Sequence, residues 1–282
     1  MNKMPLFSII IPAFNAAETI GETLGSVIAQ TYEGEYEAII VNDGSTDSTE
    51  QVVTSIAEGN PRLTLVNQTN AGIASAYNTG IGRANGEWIV MLSADDVLEP
   101  DHLDTFARTI AEYPEVALLS SNGYFLYDDG RRAIVYPEAP WFGEQECALS
   151  DLFDQCLYAT GIALKKSACE SAGGFIADLY AEDYYLFLRM LAGGYRHRYI
   201  PKCLSQHRRN RRQRSAQGLS MRQTDLASIE RIAREFSLTT EQQQAFEGAR
   251  KKLQNNIRLR RRLYRIAGPL LAERAIETFR RE

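Results

Sequence analysis

Along the first hundred residues, short apolar runs alternate with stretches in which apolar residues recur every three or four positions. Residues 7–11, Phe-Ser-Ile-Ile-Ile, read as a buried strand closed by Pro12. Ile20, Leu24, Val27 and Ile28 then make a helical stripe, preceded by Asn15 and Glu18 at capping-box spacing. Residues 36–41 are a second strand, and Asp47 and Glu50 repeat the capping pattern ahead of Val52, Val53 and Ile56. Residues 63–66 are a third strand, and Ile73, Ala76, Tyr77, Gly80, Ile81 and Ala84 trace one helix face. A fourth strand at 88–92 precedes a helix around Leu103, Phe106 and Ile110. Strand, helix and strand at this spacing imply right-handed crossovers and an α/β fold with a mostly parallel sheet, flanked by helices on both sides.

Beyond residue 115 the periodicity loosens. Residues 116–121 extend the sheet, and 124–136 predict a hairpin around an Asp-Gly turn. A second αβ region spans about 150–205. From about 220 strand signals vanish and polar helices follow, with Leu226, Ile229, Ala233 and Phe236 as their first stripe.

Composition changes this picture in two places. The chain has 282 residues, 44% hydrophobic and 24% charged, as in ordinary globular proteins. No apolar run approaches the roughly 20 residues of a spanning helix. The apolar start is too short for a secretory signal, and Cys147, Cys156, Cys169 and Cys203 lack C-x-x-C spacing, so a cytoplasmic chain without disulfides or zinc is expected. The net charge of −5 conceals a polarity: residues 1–195 carry 9 basic and 28 acidic side chains, residues 196–282 carry 22 and 8. Either the C-terminal part meets something anionic, such as the inner face of a membrane, or its arginines form solvated helical faces.

In an open parallel sheet, ligands sit at the carboxyl ends of the strands. Those ends here carry Pro-Ala-Phe-Asn (12–15), Asn-Asp-Gly-Ser-Thr-Asp (42–47) and Ser-Ala-Asp-Asp (93–96), which together point to a nucleotide-sized ligand. No phosphate-binding glycine loop is present; residues 80–86, Gly-Ile-Gly-Arg-Ala-Asn-Gly, close a helix rather than follow a strand. Without such a cradle, Asp95 and Asp96 would repel a diphosphate unless a hard cation, Mg²⁺ or Mn²⁺, lay between.

These motifs, with Asn-Ala-Gly at 70–72, Gly-Gly-Phe at 173–175 and Ala-Glu-Asp at 181–183, resemble family 2 of the inverting glycosyltransferases with the GT-A fold, over about residues 6–215. The resemblance implies a nucleoside-diphosphate sugar as donor, with UDP as the expected nucleotide, and a glycan, glycolipid or other hydroxyl as acceptor. It implies that Pro12 and Phe14 form the base pocket and that Asp43, Asn70 and Gly72 contact base and ribose. Asp95 and Asp96 are similar to the ribose- and metal-binding acids of a D-x-D element whose first Asp is here Ser93. His207 stands where the family often has a metal-reaching His, although the residues before it depart from the usual pattern. Asp183 matches the catalytic base, which would take the proton of the attacking hydroxyl; Glu182 and Asp183 also suit a helix N-terminus. The arginines of 208–214 are candidate phosphate contacts, and Trp141 and Phe142 a candidate sugar platform.

The expected organisation is a catalytic domain over 1–218, with a nucleotide-binding half to about 100 and an acceptor half beyond, followed by a basic helical extension over 219–282. Two other classes remain open. A nucleotidyltransferase usually has a glycine-rich loop after its first strand, and residues 12–18 have none. A non-catalytic basic module that binds membrane or nucleic acid leaves the strand-end acids unexplained; no nucleic-acid partner is expected.

Overall fold

The computed structural model describes residues 6–127, 129–135, 146–154, 160–177, 182–209 and 218–279. The expected alternation forms: β1 (Phe7–Ala13), α1 (Ile20–Ile28), β2 (Tyr36–Asp43), α2 (Thr49–Ala57), β3 (Leu63–Gln68), α3 (Ile73–Arg83) and β4 (Trp88–Met91). Their strands pair in parallel in the order β3-β2-β1-β4. Successive side chains of β1 serve opposite layers: Ile9 and Ile11 pack with Leu24 and Val27 of α1, while Ile10 packs with Tyr77 and Ile81 of α3. All three isoleucines are fully buried, each worth about 1.5–3 kcal/mol. At Gly80, α3 approaches β1 so closely that a Cβ would sit 2.3 Å from Ile10 Cγ2, so any larger residue would push the helix off the sheet.

The chain continues through β5 (Val97–Leu98), α4 (His102–Glu112), β6 (Val116–Tyr127), β7 (Arg132–Ile134), β8 (Glu146–Cys147), α5 (Leu149–Asp154), β9 (Ile162–Lys165) and α6 (Lys166–Ser171). It ends with α7 (Glu182–Ala192), β10 (Arg196–Arg209), α8 (Gly218–Glu235) and α9 (Thr240–Phe279). Past β4 the sheet order is β9-β6-β10-β5, and its character changes. Strand β9 is antiparallel to both β4 and β6, β10 is parallel to β6, and β5 is antiparallel to β10. The sheet as a whole is mixed, with its parallel part concentrated in residues 7–91. The hairpin also forms, Tyr124 of β6 pairing with Ile134 of β7.

Neither capping box does. Helix α1 starts at Ile20 without a side-chain cap, because Asn15 bonds the loop after β2. Helix α2 starts at Thr49, whose N–H goes to Asp47 Oδ1 two residues back while Oδ2 of the same carboxylate takes Ala17 N–H, so the expected bond to the third helical residue is not made. The apolar stripe of α8 packs as expected. Ile229 and Ile232, with Phe246 and Ala249 of α9, share one core with Phe153 of α5 and Tyr185 and Phe187 of α7. Among the described residues, no helix is long and apolar enough to cross a membrane.

Candidate functional site

The carboxyl ends of β1 and β2 are laced together by side chain to backbone hydrogen bonds. Asn15, in the left-handed region at φ 50°, donates its N–H to Ser45 Oγ (3.0 Å) and accepts from Thr46 N–H through Oδ1 (2.8 Å). Ala16 N–H reaches Thr49 Oγ1 at 2.8 Å and Ala17 N–H reaches Asp47 Oδ2 at 3.1 Å. These bonds fix the backbone after Phe14, which stays 52% exposed although it follows a largely buried, mostly apolar strand. An aromatic face held open to solvent at a strand end suits a flat ligand. Pro12 is half-buried just before it.

Asp43, buried at the end of β2, binds the loop after β3. Its Oδ1 accepts from Gln68 Nε2 (2.7 Å) and Ala71 N–H (2.9 Å), and its Oδ2 accepts from Gly72 N–H (2.9 Å). Oδ2 keeps a second lone-pair site beyond the Gly72 bond. Asn42, next to Asp43 and also buried, donates to Asn67 Oδ1 and accepts Ser45 N–H. The two loops then meet where only glycine fits: Gly44 has φ +73°, and a Cβ on it would lie 2.9 Å from Asn70 N.

The acid pair follows β4. Asp96 is fully buried, with Oδ2 3.1 Å from His207 Nδ1 and Oδ1 accepting Arg208 N–H at 2.9 Å. Asp95 is half-buried, and its carbonyl accepts from Arg208 Nε at 3.1 Å. Arg208 also pairs with Glu22 of α1. Register shifts in β10 after Ile200 and Cys203 bend this strand and bring 207–209 over the acid-bearing turn. Burial alone would depress the His207 pKa; the charge and hydrogen bond of Asp96 outweigh it and raise the value.

A polar stripe on α1 holds the same turn, and no pattern had marked it. Thr19 and Thr23 both donate to Ala94 O at 3.0 Å, Ser26 Oγ accepts Leu98 N–H at 3.1 Å, and Gln30 donates to Glu99 O at 2.9 Å. The spacing 19, 23, 26, 30 is that of one helix face. It was legible beside the apolar stripe of the same helix.

Asp183 lies in the first turn of α7, half-buried, with Oδ1 accepting the N–H of Tyr184. Its helix is tied to the donor rim through Gly-Gly-Phe at 173–175. Arg189 of α7 donates to the carbonyls of Ala172 and Gly174. Asn78 of α3 makes two bonds to the Phe175 backbone (2.8 and 3.0 Å), and Phe175 stacks on Tyr77 at 4.7 Å. On its other side α7 is gripped by α8: Tyr185 lies between the Arg189 and Arg231 guanidiniums and donates to Glu235 Oε2. Asn78, Arg189 and Tyr185 went unmarked in the sequence because a polar residue on a buried helix face has no periodic signature.

Pro12, Phe14, Asp43, Asn70 and Gly72 thus gather on the first three strand ends, and Asp95, Asp96 and His207 form a second group at the β4 turn. Asp183 sits on a helix joined to the first group through α3. Trp141, Phe142 and 210–214 lie outside the described residues. Among the described residues, no three His, Cys, Asp or Glu side chains converge on a metal position. Two carboxylates and an imidazole are nevertheless fitting donors for an ion that binds mainly through substrate phosphates.

Residues 8–168 match the model of Glycosyl transferase family 2. Over 130 residues, 46% of this chain, the protein is 36% identical to the hyaluronan synthase of Pasteurella multocida, of whose length it spans 13%. Its fold is similar to that of the mannosyltransferase PcManGT from Pyrobaculum calidifontis in complex with GDP-Man and Mn²⁺ (TM-score 0.70, 23% identity, covering 98% of this chain and 80% of that one). It is also similar to S. aureus TarS 1-349 in complex with UDP-GlcNAc (TM-score 0.66, 19% identity, 98% and 91%). At those identities the structural likeness is one of fold. With the family match over more than half of its length and this mixed, helix-flanked sheet, the chain belongs to glycosyltransferase family 2 and has a GT-A fold.

Proposed function

We propose that this chain transfers a sugar from a UDP-sugar to an acceptor hydroxyl, with inversion, in the synthesis of a polysaccharide, glycolipid or other glycoconjugate in the cytoplasm. One observation carries the reading: a buried carboxylate, Asp96, is paired with His207 from a strand 111 residues away, beside strand ends that hold an aromatic face open. Phe14 stacks on the base over Pro12, while Asp43, Asn70 and Gly72 define the base and ribose edge. Asp95, Asp96 and His207 hold Mn²⁺ or Mg²⁺, which when bound neutralises charge on the leaving diphosphate. Asp183 accepts the proton of the acceptor hydroxyl as its oxygen attacks the anomeric carbon. Residues 1–100 serve as the donor half and 101–218 as the acceptor half, with 219–282 as a helical extension.

The fold neighbours bind UDP-GlcNAc in one case and GDP-Man in another, so the test is a donor panel that includes both nucleotides. Hydrolysis of one UDP-sugar, abolished by EDTA and restored by Mn²⁺, is the expected result. Turnover of GDP-sugars alone would refute the UDP assignment, and turnover indifferent to EDTA would refute the metal assignment.

A further inference from the structure

Helix α9 has two faces of opposite character. Phe246, Ala249, Ile257 and Arg260 are buried. At 100° per residue, Lys251, Arg258, Leu259, Arg262, Arg265 and Ile266 fall on the opposite side, within about a third of the circumference and over roughly 22 Å of helix. All six are exposed, Leu259 at 52% and Ile266 at 73%. No acid occurs between Glu247 and Glu273, whereas eight lysines and arginines do.

We propose that this outward face of α9 docks on an anionic lipid bilayer. A straight helix presenting cations along its length complements a flat anionic surface. Two aliphatic side chains seven residues apart enter the headgroup boundary while the long basic side chains reach phosphate oxygens. A symmetric pairing of two copies through this face would bring like charge against like charge, and a contact with the acidic residues 1–195 of a second copy would show as self-association without vesicles. Nucleic acid would engage the arginines and leave the aliphatic pair without a partner, since bases stack on aromatic faces and this face has none. The docking goes beyond the glycosyl-transfer reading and stands independently of it.

Vesicle sedimentation of the full chain tests the idea, with phosphatidylcholine alone against phosphatidylcholine containing phosphatidylglycerol. The protein is expected in the pellet only with the anionic vesicles and released by salt. Arg258→Glu combined with Arg262→Glu and Arg265→Glu should weaken binding by roughly tenfold or more. The positions are exposed, so the melting temperature and UDP binding should stay at native values. Leu259→Ser with Ile266→Ser keeps every charge and should weaken binding several-fold, which decides the matter even if charge reversal disturbs the fold. Equal sedimentation with both vesicle types, sedimentation with neither, or native binding by the serine variant would overturn the proposal.

Discussion

The strands before residue 92 and those after it belong to one sheet but are built by different rules. In the first part the strands pair with one another only in parallel, β1 with β2 and β2 with β3 in succession, and β4 returns to lie beside β1. In the second, β9 is inserted between β4 and β6, so that Met91 pairs with Ile162 and Leu118 with Leu164. Strand β10 changes register repeatedly along its 14 residues. The first part presents a preassembled rim of loops bonded to one another. The second reaches that rim at separate points, through His207, Arg208 and the Arg189–Phe175–Asn78 chain. On the proposed reading, the first part would serve as the donor side and the second, attached at a few points, would position the base separately.

The largest expected effect falls on that base. Asp183→Asn keeps the shape of the side chain but cannot take a proton, so transfer should fall by roughly 10²–10⁴. UDP affinity in Mn²⁺ and the melting temperature should remain near native values if donor binding belongs to the other half, as proposed. Rates and calorimetric affinities measured together decide this: near-normal turnover removes Asp183 from the role, and loss of UDP binding along with turnover makes it part of the donor side.

Acid should separate the two halves next. All three histidines lie at or beyond residue 102. Burial holds His102 down to about 4 and His197 to about 3. Both folded values lie below the unfolded one near 6.5, so their stabilisation is complete above that pH and is lost as pH falls. At pH 5 each has lost about 2 kcal/mol. Asp225, which burial raises to about 6, runs the other way and returns about 1.4 kcal/mol over the same range. These three groups together lose about 3 kcal/mol at pH 5; His207, whose folded value Asp96 raises, returns part of it, and His197→Asn should remove about half of the gross loss from the two buried histidines. Hydrogen exchange should show β6 and β10 opening before β1 and β2; uniform opening would mean that the halves unfold as one.

How far the sequence could be read follows the same division. Residues 7–11, 36–41, 63–66 and 88–92 declare their strands because apolar runs bounded by turn residues suffice for locally connected βα units. The strand-end motifs Phe14, Asp43 and Asp95–Asp96 were legible because such units deliver their ends to one rim. The double antiparallel placement of β9 was not, since a four-residue strand with three buried residues says nothing of which strands will flank it. Asn15 misled for a physical reason: its side chain satisfies a backbone N–H of the neighbouring loop instead of capping α1, whereas Asp47 divides its carboxylate between Ala17 N–H and the first N–H of α2, at Thr49. The spacing of Thr19, Thr23, Ser26 and Gln30 was legible, but not the backbone groups that they and Arg189 meet, since a sequence carries no mark of which carbonyl or N–H lies nearby.

Asp96→Asn tests the contact between the halves with a smaller effect. The amide can still accept Arg208 N–H but carries no charge for the metal or for His207. UDP affinity in Mn²⁺ should drop by about 10–100-fold, as for other losses around a metal ligand set, and approach the value in EDTA. Unchanged affinity would assign Asp96 a purely structural role beneath the turn.

The smallest expected effect asks whether α8 belongs to the acceptor side mechanically. Tyr185 is two residues from Asp183 and its hydroxyl donates to Glu235 Oε2 at 2.5 Å, while Arg231 Nε holds Glu235 Oε1 at 2.7 Å. Burial first, then the adjacent Glu235, pushes the phenol up to about 12, so the hydroxyl remains a donor at any working pH. Tyr185→Phe keeps the ring between the Arg189 and Arg231 guanidiniums, 4.9 and 4.8 Å from its centre, and deletes only that bond. Glu235 is partly exposed, so the cost should be about 1 kcal/mol, below the roughly 1.5–3 kcal/mol of a bond to a charged group. If the bond sets the pitch of α7, kcat falls several-fold while UDP affinity stays constant, and Glu235→Gln reproduces the change. The double variant then shows a coupling of about 1 kcal/mol between the two positions. Additive single effects, with kcat untouched, would mean that α8 covers α7 without positioning it.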